Sequence, residues 1–595
     1  MSTHSSRTLN RRSVLRWGAA AAAVPAAAGA VSLSSALSGG GTPQAATSLA
    51  QDIPFPELEE ITIAELRSAL DSGRTSARDL VDMYLARIDA IDRNGPKLNS
   101  IMEINPEAQA IADALDQELQ QQGPRGPLHG IPVLLKDNID TADQMLTTAG
   151  SLALTGSRPQ RDATVVQRLR DAGAVILGKT TLSEWANFRG FQSSSGWSGR
   201  GGQCLNPYVL DRSPCGSSSG SPAAVSANLA VVAIGTETDG SIVCPSYVNG
   251  VVGLKPTVGL TSRAGVIPIA HSQDTVGPHG RTVADVAAVL GVLAGADPRD
   301  PMTEASNGQT HTDYTQFLDP NALQGARIGV PRNAGFFGYS RQTDIITEAA
   351  IQVLRDLGAE VIDPADFPNP EEMVAEPGEF EVLLYEFKAD LNAYLADRQD
   401  PEISSLEDLI RFNDEHADEE LLYFGQEIFH MAQEKGPLTD QVYTDALAKN
   451  HRFSREEGID AILEQHNLDA LIAPTGSPAW KIDLINGDLF LGASSSPAAM
   501  AGYPLLTVPA GHVFGLPVGL TFMGTAYSEP TLIKLAYAFE QATRVRQVPR
   551  FLPTSVEPGG VLSAIEGPQA AGFGTPVPLD ATPVEAGTPT VEPAT

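Results

Sequence analysis

Short apolar runs without charged residues recur along this chain, and helical segments separate them. Four come early: Ile131 to Leu135, Ala174 to Leu177, Leu229 to Ile234 and Val251 to Leu254. Strands that alternate with helices predict an α/β fold, with helices packed on both faces of a sheet. Later strand-like runs are Ala470 to Ala473, Leu505 to Val508 and Val518 to Phe522.

The segments around these runs carry helix signals. Thr62 and Glu65 form a capping-box pattern that opens a helix stopping at Gly73. Further helices are predicted from Ser76, from Asn105-Pro106-Glu107, through much of 340–470 and over 529–544. We expect the charged 340–470 segment to cover a sheet edge or the mouth of a site.

These patterns predict a single α/β/α domain over residues 55–552, built around a large mixed β-sheet. After Pro553 the chain is rich in Pro, Thr, Gly and Glu and almost lacks aromatic residues. Such a composition cannot bury a core, which predicts a disordered tail over 553–595.

Charge limits the kinds of partner. The 595 residues include 72 acidic and 40 basic ones, a formal net charge of -32. Phosphate binding needs clustered Lys and Arg, so we expect neither a nucleic-acid nor an anionic-membrane partner. The oligomeric state stays open, and a monomer fits the sequence.

Residues 1–46 have the features of an export leader. Arg11 and Arg12 precede an uncharged Ala-rich run from Trp17 to about Val31, and small residues follow. This order predicts a signal peptide, and the Arg pair indicates twin-arginine export to the periplasm, cell surface or medium. The run is short for a membrane span. A plain anchor and a disordered leader are the alternatives, and cleavage fits after Ala28 or after Ala46.

The cysteines are too few for a disulfide framework. Cys204, Cys215 and Cys244 also lack the spacing of a zinc site. One pair is possible because all three lie in one stretch of chain, but we expect buried free thiols.

The most informative segment holds two clusters of small residues. Cys215 to Ser221 and Gly235 to Ser241 flank a short Ala-rich helix and the run from Leu229 to Ile234. Loops of this kind can direct several backbone N–H groups to one point, as an oxyanion hole requires. A Gly/Ser linker explains either cluster equally well when it is taken alone.

Two nucleophile motifs can be rejected. Gly216 to Gly220 matches G-x-S-x-G, but that elbow needs a strand directly before it and a helix directly after it. Here the approach from Asn206 to Pro214 consists of turn-forming residues. An S-x-x-K arrangement is excluded, because no serine stands three residues before any lysine.

The better match is to a family. Ser217, Ser241 and the lysine of Leu134-Leu135-Lys136-Asp137-Asn138 together resemble the amidase signature hydrolases. The similarity continues through Gly250 to Thr257 and Ser272 to Pro278. It covers roughly residues 60–550, and Gly235 to Pro245 most resembles the bacterial peptide amidases.

The resemblance implies three catalytic roles. Ser241 attacks the carbonyl and carries the acyl group, Ser217 relays its proton, and Lys136 is the terminal base. A serine hydroxyl needs such a base at neutral pH. An exposed lysine, with a pKa of about 10.4, cannot serve, but burial beside apolar strands lowers the value by several units. The alternative is an ordinary snorkelling lysine. The resemblance also implies a cis peptide bond before Ser217.

The same resemblance places an oxyanion hole on the backbone N–H groups of Thr238, Asp239, Gly240 and Ser241. The broader family commonly has two glycines before the nucleophile and an arginine two residues after it, whereas this chain has Asp239-Gly240 and Val243. Peptide amidases share both departures. We expect these departures to leave the catalytic mechanism unchanged and to restrict the range of substrates that the enzyme accepts.

Other polar residues receive lesser roles. His271 and His279 could suggest a Ser–His pair, but with Lys136 available we expect packing or rim residues. Lys255 is interpreted as structural. Asp137 and Asn138 are expected to orient the lysine or to close its hydrogen-bond network.

The resemblance therefore implies hydrolysis of a carboxamide through an acyl-enzyme, with no cofactor and no metal. The leading substrates are C-terminal amides of peptides or amino acids. The alternatives are an aryl- or alkyl-acylamidase with esterase activity, the glutaminase component of a tRNA-dependent amidotransferase, and an inactive exported binding protein. An export leader conflicts with the cytosolic role of the glutaminase.

Overall fold

A computed structural model describes residues 53–555. The predicted leader over 1–46 and the predicted tail beyond residue 555 lie outside the described residues. Among those residues, no helix combines the length and the apolar character that a membrane span requires.

Eleven strands of the described chain form one mixed sheet, and two short ones form a separate ribbon. The strands are β1 (Ile101–Ile104), β2 (Pro132–Lys136), β3 (Val175–Thr180), β4 (Trp197–Ser198), β5 (Gly202–Gln203), β6 (Val232–Glu237), β7 (Val252–Lys255), β8 (Thr275–Gly280), β9 (Arg327–Gly329), β10 (Glu360–Ile362), β11 (Ala470–Pro474), β12 (Leu505–Val513) and β13 (Leu516–Met523). The order in the large sheet is β1-β3-β2-β6-β8-β7-β12-β13-β11-β9-β10, and β4 pairs with β5.

Helices pack around this sheet. They are α1 (Ile63–Asp71), α2 (Ala77–Arg87), α3 (Ala108–Gln122), α4 (Thr164–Asp171), α5 (Gly220–Ser226), α6 (Val243–Val248), α7 (Val283–Leu293), α8 (Arg341–Asp356), α9 (Pro370–Met373), α10 (Glu379–Arg398), α11 (Leu406–Glu415), α12 (Glu427–Gln433), α13 (Gln441–Ser454), α14 (Asp460–His466), α15 (Ser496–Ala501) and α16 (Glu529–Thr543).

The predicted α/β fold with a large mixed sheet is confirmed. All seven apolar runs are strands, and fully buried side chains line them. The capping box of Thr62 and Glu65 opens α1, and Ser76 caps α2 with a second box. The prediction omitted the ribbon strands β4 and β5 and, in the large sheet, β1, β8, β9 and β10, which are short or contain Gly and Pro.

The arrangement of β2 and β6 prepares the site. These two neighbours run parallel, with Leu135 opposite Ile234. Parallel neighbours end at the same edge of a sheet, where α/β proteins place their ligands. The chain leaves β2 at Lys136 and leaves β6 at Glu237, so the two predicted catalytic segments meet at this edge.

Candidate active site

Lys136 is the last residue of a central strand and is completely buried. Its Nζ atom lies 2.7 Å from Ser217 Oγ and 2.8 Å from Thr236 Oγ1. Burial lowers the pKa of Lys136 to about 7, against the opposing charges of Asp274 and Glu237. A neutral amine is therefore available near neutral pH, and this lysine is not the snorkelling surface residue of the alternative interpretation.

Ser217 lies in the loop before α5, also fully buried. Its carbonyl oxygen accepts a hydrogen bond from the backbone N–H of Ser183, at 3.0 Å. A Cβ atom at Gly216 would collide with the Ser183 hydroxyl, so only glycine fits there. The Gly216–Ser217 peptide bond is cis, as the family resemblance implies.

Ser241 lies in the turn between β6 and α6. The backbone N–H of Ser218 donates to its carbonyl oxygen at 3.2 Å, which fixes the two serine loops together. Gly240 has a φ of 76°, a left-handed conformation that glycine adopts without strain. This turn directs the chain from the sheet edge into α6.

The predicted oxyanion donors lie in the same turn, outside both the strand and the helix. Within the described residues, the backbone N–H groups of Thr238, Asp239, Gly240 and Ser241 have no hydrogen-bond acceptor. Unpaired N–H groups beside a serine hydroxyl can stabilise the negative charge that develops on a carbonyl oxygen.

Two carboxylates hold this turn, and neither role was predicted from the sequence. Glu237 Oε2 accepts hydrogen bonds from the N–H groups of Ile242 and Val243, at 2.7 and 2.9 Å. Asp274 Oδ1 accepts from Thr238 Oγ1 at 2.6 Å, and burial raises the pKa of Asp274 to about 6. Both residues lie in motifs that supported the family resemblance, but the sequence analysis gave neither of them a role.

A cavity of about 430 Å³ opens above Ser241. Its apolar wall includes Phe188, Phe191, Ile269, Leu383, Ile428, Trp480 and Phe490. Asp239 and Asp488 supply its charged groups, and the described residues that line it include no Lys or Arg. Leu383 and Ile428 come from α10 and α12, so the 340–470 segment does cover the mouth of the site.

The expectation of free thiols is wrong for two of the three cysteines. Cys215 and Cys244 form a disulfide, with their Cα atoms 6.0 Å apart, and both line the cavity. The fold brings them together because Cys215 precedes Ser217 and Cys244 follows Ser241. Cys204 is buried and free, as expected.

The histidines do not contact Ser241. His279 is fully buried on β8, where its Nδ1 lies 2.8 Å from Ser246 Oγ, and burial lowers its pKa to about 3. His271 Nδ1 lies 2.8 Å from Asp390 Oδ2. His271, Asp390 and Glu386 form the one group of side chains among the described residues whose spacing could hold a metal ion. This group lies outside the cavity above Ser241.

The remaining polar residues divide into three cases. Lys255 Nζ donates to the carbonyl oxygen of Tyr503 at 2.6 Å, a structural contact as expected. Asn138 Nδ2 donates to Thr236 Oγ1, the hydroxyl that also contacts Lys136, so it does close the lysine's network. Asp137 does not, because its carboxylate instead accepts from Thr148 and pairs with Arg200.

Comparison with known proteins supplies the deciding observation. A family model described as Amidase matches residues 79–533. The chain belongs to the amidase family. The matched range contains Lys136, both serine loops and the wall residues of the cavity, and the site is that of an amide-hydrolysing enzyme.

Individual relatives of this amidase agree with that membership. An Arabidopsis thaliana protein named "Probable amidase" is 44% identical over 502 residues, which span 83% of this chain and 92% of the relative. The solved native peptide amidase from Stenotrophomonas maltophilia is 53% identical, with a TM-score of 0.79, and the match covers 83% of this chain and 99% of that one. A glutamyl-tRNA(Gln) amidotransferase component from Halorhodospira halophila is 36% identical over 508 residues, 82% of this chain and 98% of the relative.

Proposed function

We propose that this amidase is an exported enzyme that removes ammonia from C-terminal amides of peptides or amino acids. In this proposal Ser241 is the nucleophile, Ser217 the proton relay and Lys136 the base. The observation that carries it is the 2.7 Å contact between buried Lys136 Nζ and Ser217 Oγ. Beside it lies a turn with four N–H groups that have no acceptor in the part of the chain that the structure describes.

Acylation begins with the lysine neutral. As Ser241 Oγ adds to the carbonyl carbon, its proton passes to Ser217 Oγ, and the proton of Ser217 passes to Lys136 Nζ. The carbonyl oxygen gains a negative charge that the N–H groups of the 238–241 turn stabilise. The lysine returns its proton through Ser217 to the amide nitrogen, the C–N bond breaks, and ammonia leaves.

Deacylation repeats these steps with water. Water loses a proton through Ser217 to Lys136 and adds to the acyl carbon. The intermediate collapses with the proton returned to Ser241 Oγ, which releases the carboxylic acid. Thr236 Oγ1 accepts from both Lys136 and Asn138, so it keeps the amine directed at the relay serine throughout the cycle.

The cavity favours neutral amides of peptides over free glutamine. Its apolar wall suits a peptide side chain. Glutamine as substrate carries an α-carboxylate, which would meet Asp239 and Asp488 without any cation among the described lining residues. The structural relative from Stenotrophomonas maltophilia is itself named a peptide amidase.

Two observations support export. The sequence begins with the twin-arginine pattern at Arg11 and Arg12. Cys215 and Cys244 form a disulfide, and such bonds persist mainly in oxidising compartments outside the cytosol.

The test of this function is product release from a panel of substrates by wild type and Ser241→Ala, measured as ammonia from peptide amides and glutamine, as the aniline from anilides and as the alcohol from esters. Peptide amides, glutamine, anilides and esters are offered at equal concentration. We expect ammonia from the peptide amides with wild type alone, and little from glutamine. Turnover restricted to anilides or esters would establish the acylamidase or esterase alternative, and efficient turnover of glutamine would overturn the peptide-amide assignment.

A further inference from the structure

The disulfide between Cys215 and Cys244 joins the two halves of the catalytic machinery. Cys215 stands two residues before Ser217, and Cys244 stands three residues after Ser241, in the first turn of α6. The two cysteines are separated by 29 residues, so the bond closes a loop that contains α5 and β6.

Hydrogen bonds also join these two segments. The Ser218 hydroxyl donates to the carbonyl oxygen of Thr236 at 3.0 Å and accepts from the Thr236 N–H at 3.3 Å. Ser218 N–H donates to the carbonyl oxygen of Ser241 at 3.2 Å. Asn249 Nδ2 donates at once to the carbonyl oxygens of Pro214 and Pro245, at 3.0 and 2.6 Å. These are ordinary hydrogen bonds, each with a net contribution to stability of about 1 kcal/mol. Apart from the backbone through α5 and β6, the disulfide is the covalent link between the segments among the described residues.

The bond also forms part of the cavity wall. Both cysteines line the cavity above Ser241, and each is 5% exposed. The bond therefore borders the space that a small reductant would enter. Cys204 is fully buried and does not line this cavity, which makes it a matched control.

We propose that the Cys215–Cys244 disulfide is a positioning bond that holds the relay Ser217 in line with the nucleophile Ser241. The inference rests on the catalytic roles proposed above. Proton relay between hydroxyls depends on their separation, and a displacement of about 1 Å in such a site can cost about 10²-fold in rate. Turnover by this amidase therefore depends on the oxidation state of the pair.

Reduction supplies the direct test. Dithiothreitol gives two electrons and two protons to the disulfide, which becomes two thiols, while dithiothreitol closes to its cyclic disulfide. The readout is the rate at which a fluorophosphonate labels Ser241, because this reaction needs the serine to be activated but needs no amide substrate. Mass spectrometry after alkylation counts the free thiols, and near-UV circular dichroism checks that the fold is retained.

We expect labelling and kcat to fall by about tenfold or more on reduction, with KM changed little, and to recover on reoxidation with oxidised glutathione. Cys215→Ser and Cys244→Ser should show the reduced rate with or without dithiothreitol. Cys204→Ala should label at the wild-type rate when oxidised and should still respond to reduction.

Three results would overturn the proposal. One is fully reduced, folded protein that labels at the oxidised rate. Another is a response to dithiothreitol that persists in the Cys215→Ser variant. The third is loss of the near-UV spectrum on reduction, which would make the bond a determinant of stability instead. Wild type that never labels at Ser241 would refute the proposed nucleophile, a failure distinct from these three.

Discussion

The Nζ atom of Lys136 lies 2.7 Å from the Oγ atom of Ser217, and both side chains are completely shielded from solvent. An ammonium group in such a place lacks water to stabilise its charge, which favours the neutral amine. The same contact gives that amine one defined partner. Lys136 therefore meets two requirements of a general base: its pKa is suitable, and the hydroxyl that gives up a proton lies within hydrogen-bond distance.

The first prediction concerns pH. Because burial lowers the pKa of Lys136 to about 7, the lysine is protonated and inactive below that pH and neutral above it. We expect kcat/KM for an uncharged peptide amide to rise about tenfold per pH unit below 7 and to level off above about 8. Lys136→Arg, with its charge fixed, should be inactive across the range. A profile that is flat from pH 5 to 8 would contradict the role of this lysine.

The second prediction concerns the relay. Ser217→Ala removes the hydroxyl that contacts Lys136, and we expect kcat to fall by about 10²–10⁴-fold with little change in KM. Ser218→Ala is the matched control, because that hydroxyl donates to the Thr236 carbonyl oxygen and does not contact the lysine. Its loss should cost less than about tenfold. Equal effects of the two substitutions would argue against a relay through Ser217.

The third prediction concerns the carboxylate that anchors α6. Glu237→Ala leaves the N–H groups of Ile242 and Val243 buried without an acceptor, so we expect the free energy of unfolding to drop by about 1–3 kcal/mol. Since Ser241 directly precedes Ile242, kcat should drop as well. Glu237→Gln keeps an acceptor oxygen and should be intermediate in both. Urea denaturation and steady-state kinetics measure the two effects, and wild-type values for the alanine variant would refute this role.

The fourth prediction concerns substrate charge. Asp239 lines the cavity and accepts a hydrogen bond from Ser496 Oγ at 2.6 Å. Removing its charge with Asp239→Asn should reduce the preference for cationic over uncharged peptide amides by about fivefold, the equivalent of about 1 kcal/mol for two charges near 4 Å in water. The preference is the ratio of kcat/KM values, which isolates charge from any general loss of activity. Asp483→Asn, at a half-buried position outside the cavity, should leave the ratio unchanged. An unchanged ratio for Asp239→Asn would remove this residue from specificity.

Local sequence determined much of what could be predicted about the fold. Apolar runs such as Leu229 to Ile234 identify buried strands, and the boxes at Thr62 and Ser76 mark helix starts, because both signals depend on neighbouring residues. Strand β8 was missed because Gly277 and Pro278 interrupt its apolar character, and its pairing with β6 determines its conformation.

Site residues that belong to a local sequence motif could be predicted. Contacts between residues that only the fold brings together could not. Lys136, Ser217 and Ser241 each stand in a distinctive local pattern. The pairing of Cys215 with Cys244 depends on two loops that meet in space, and the sequence offered no measure of that distance. The sequence likewise does not reveal the partners of Asp137, which directly follows Lys136 but whose carboxylate accepts from Thr148 and pairs with Arg200.

The most direct test of the central claim is to trap the acyl group. A slowly deacylating p-nitrophenyl ester of a peptide acid is mixed with enzyme, quenched in acid and analysed by peptide mass mapping. The account predicts one acyl group per chain, located on Ser241, and its absence together with loss of ammonia release in Ser241→Ala. An adduct on another residue, or a Ser241→Ala variant that releases ammonia from peptide amides at the wild-type rate, would contradict it.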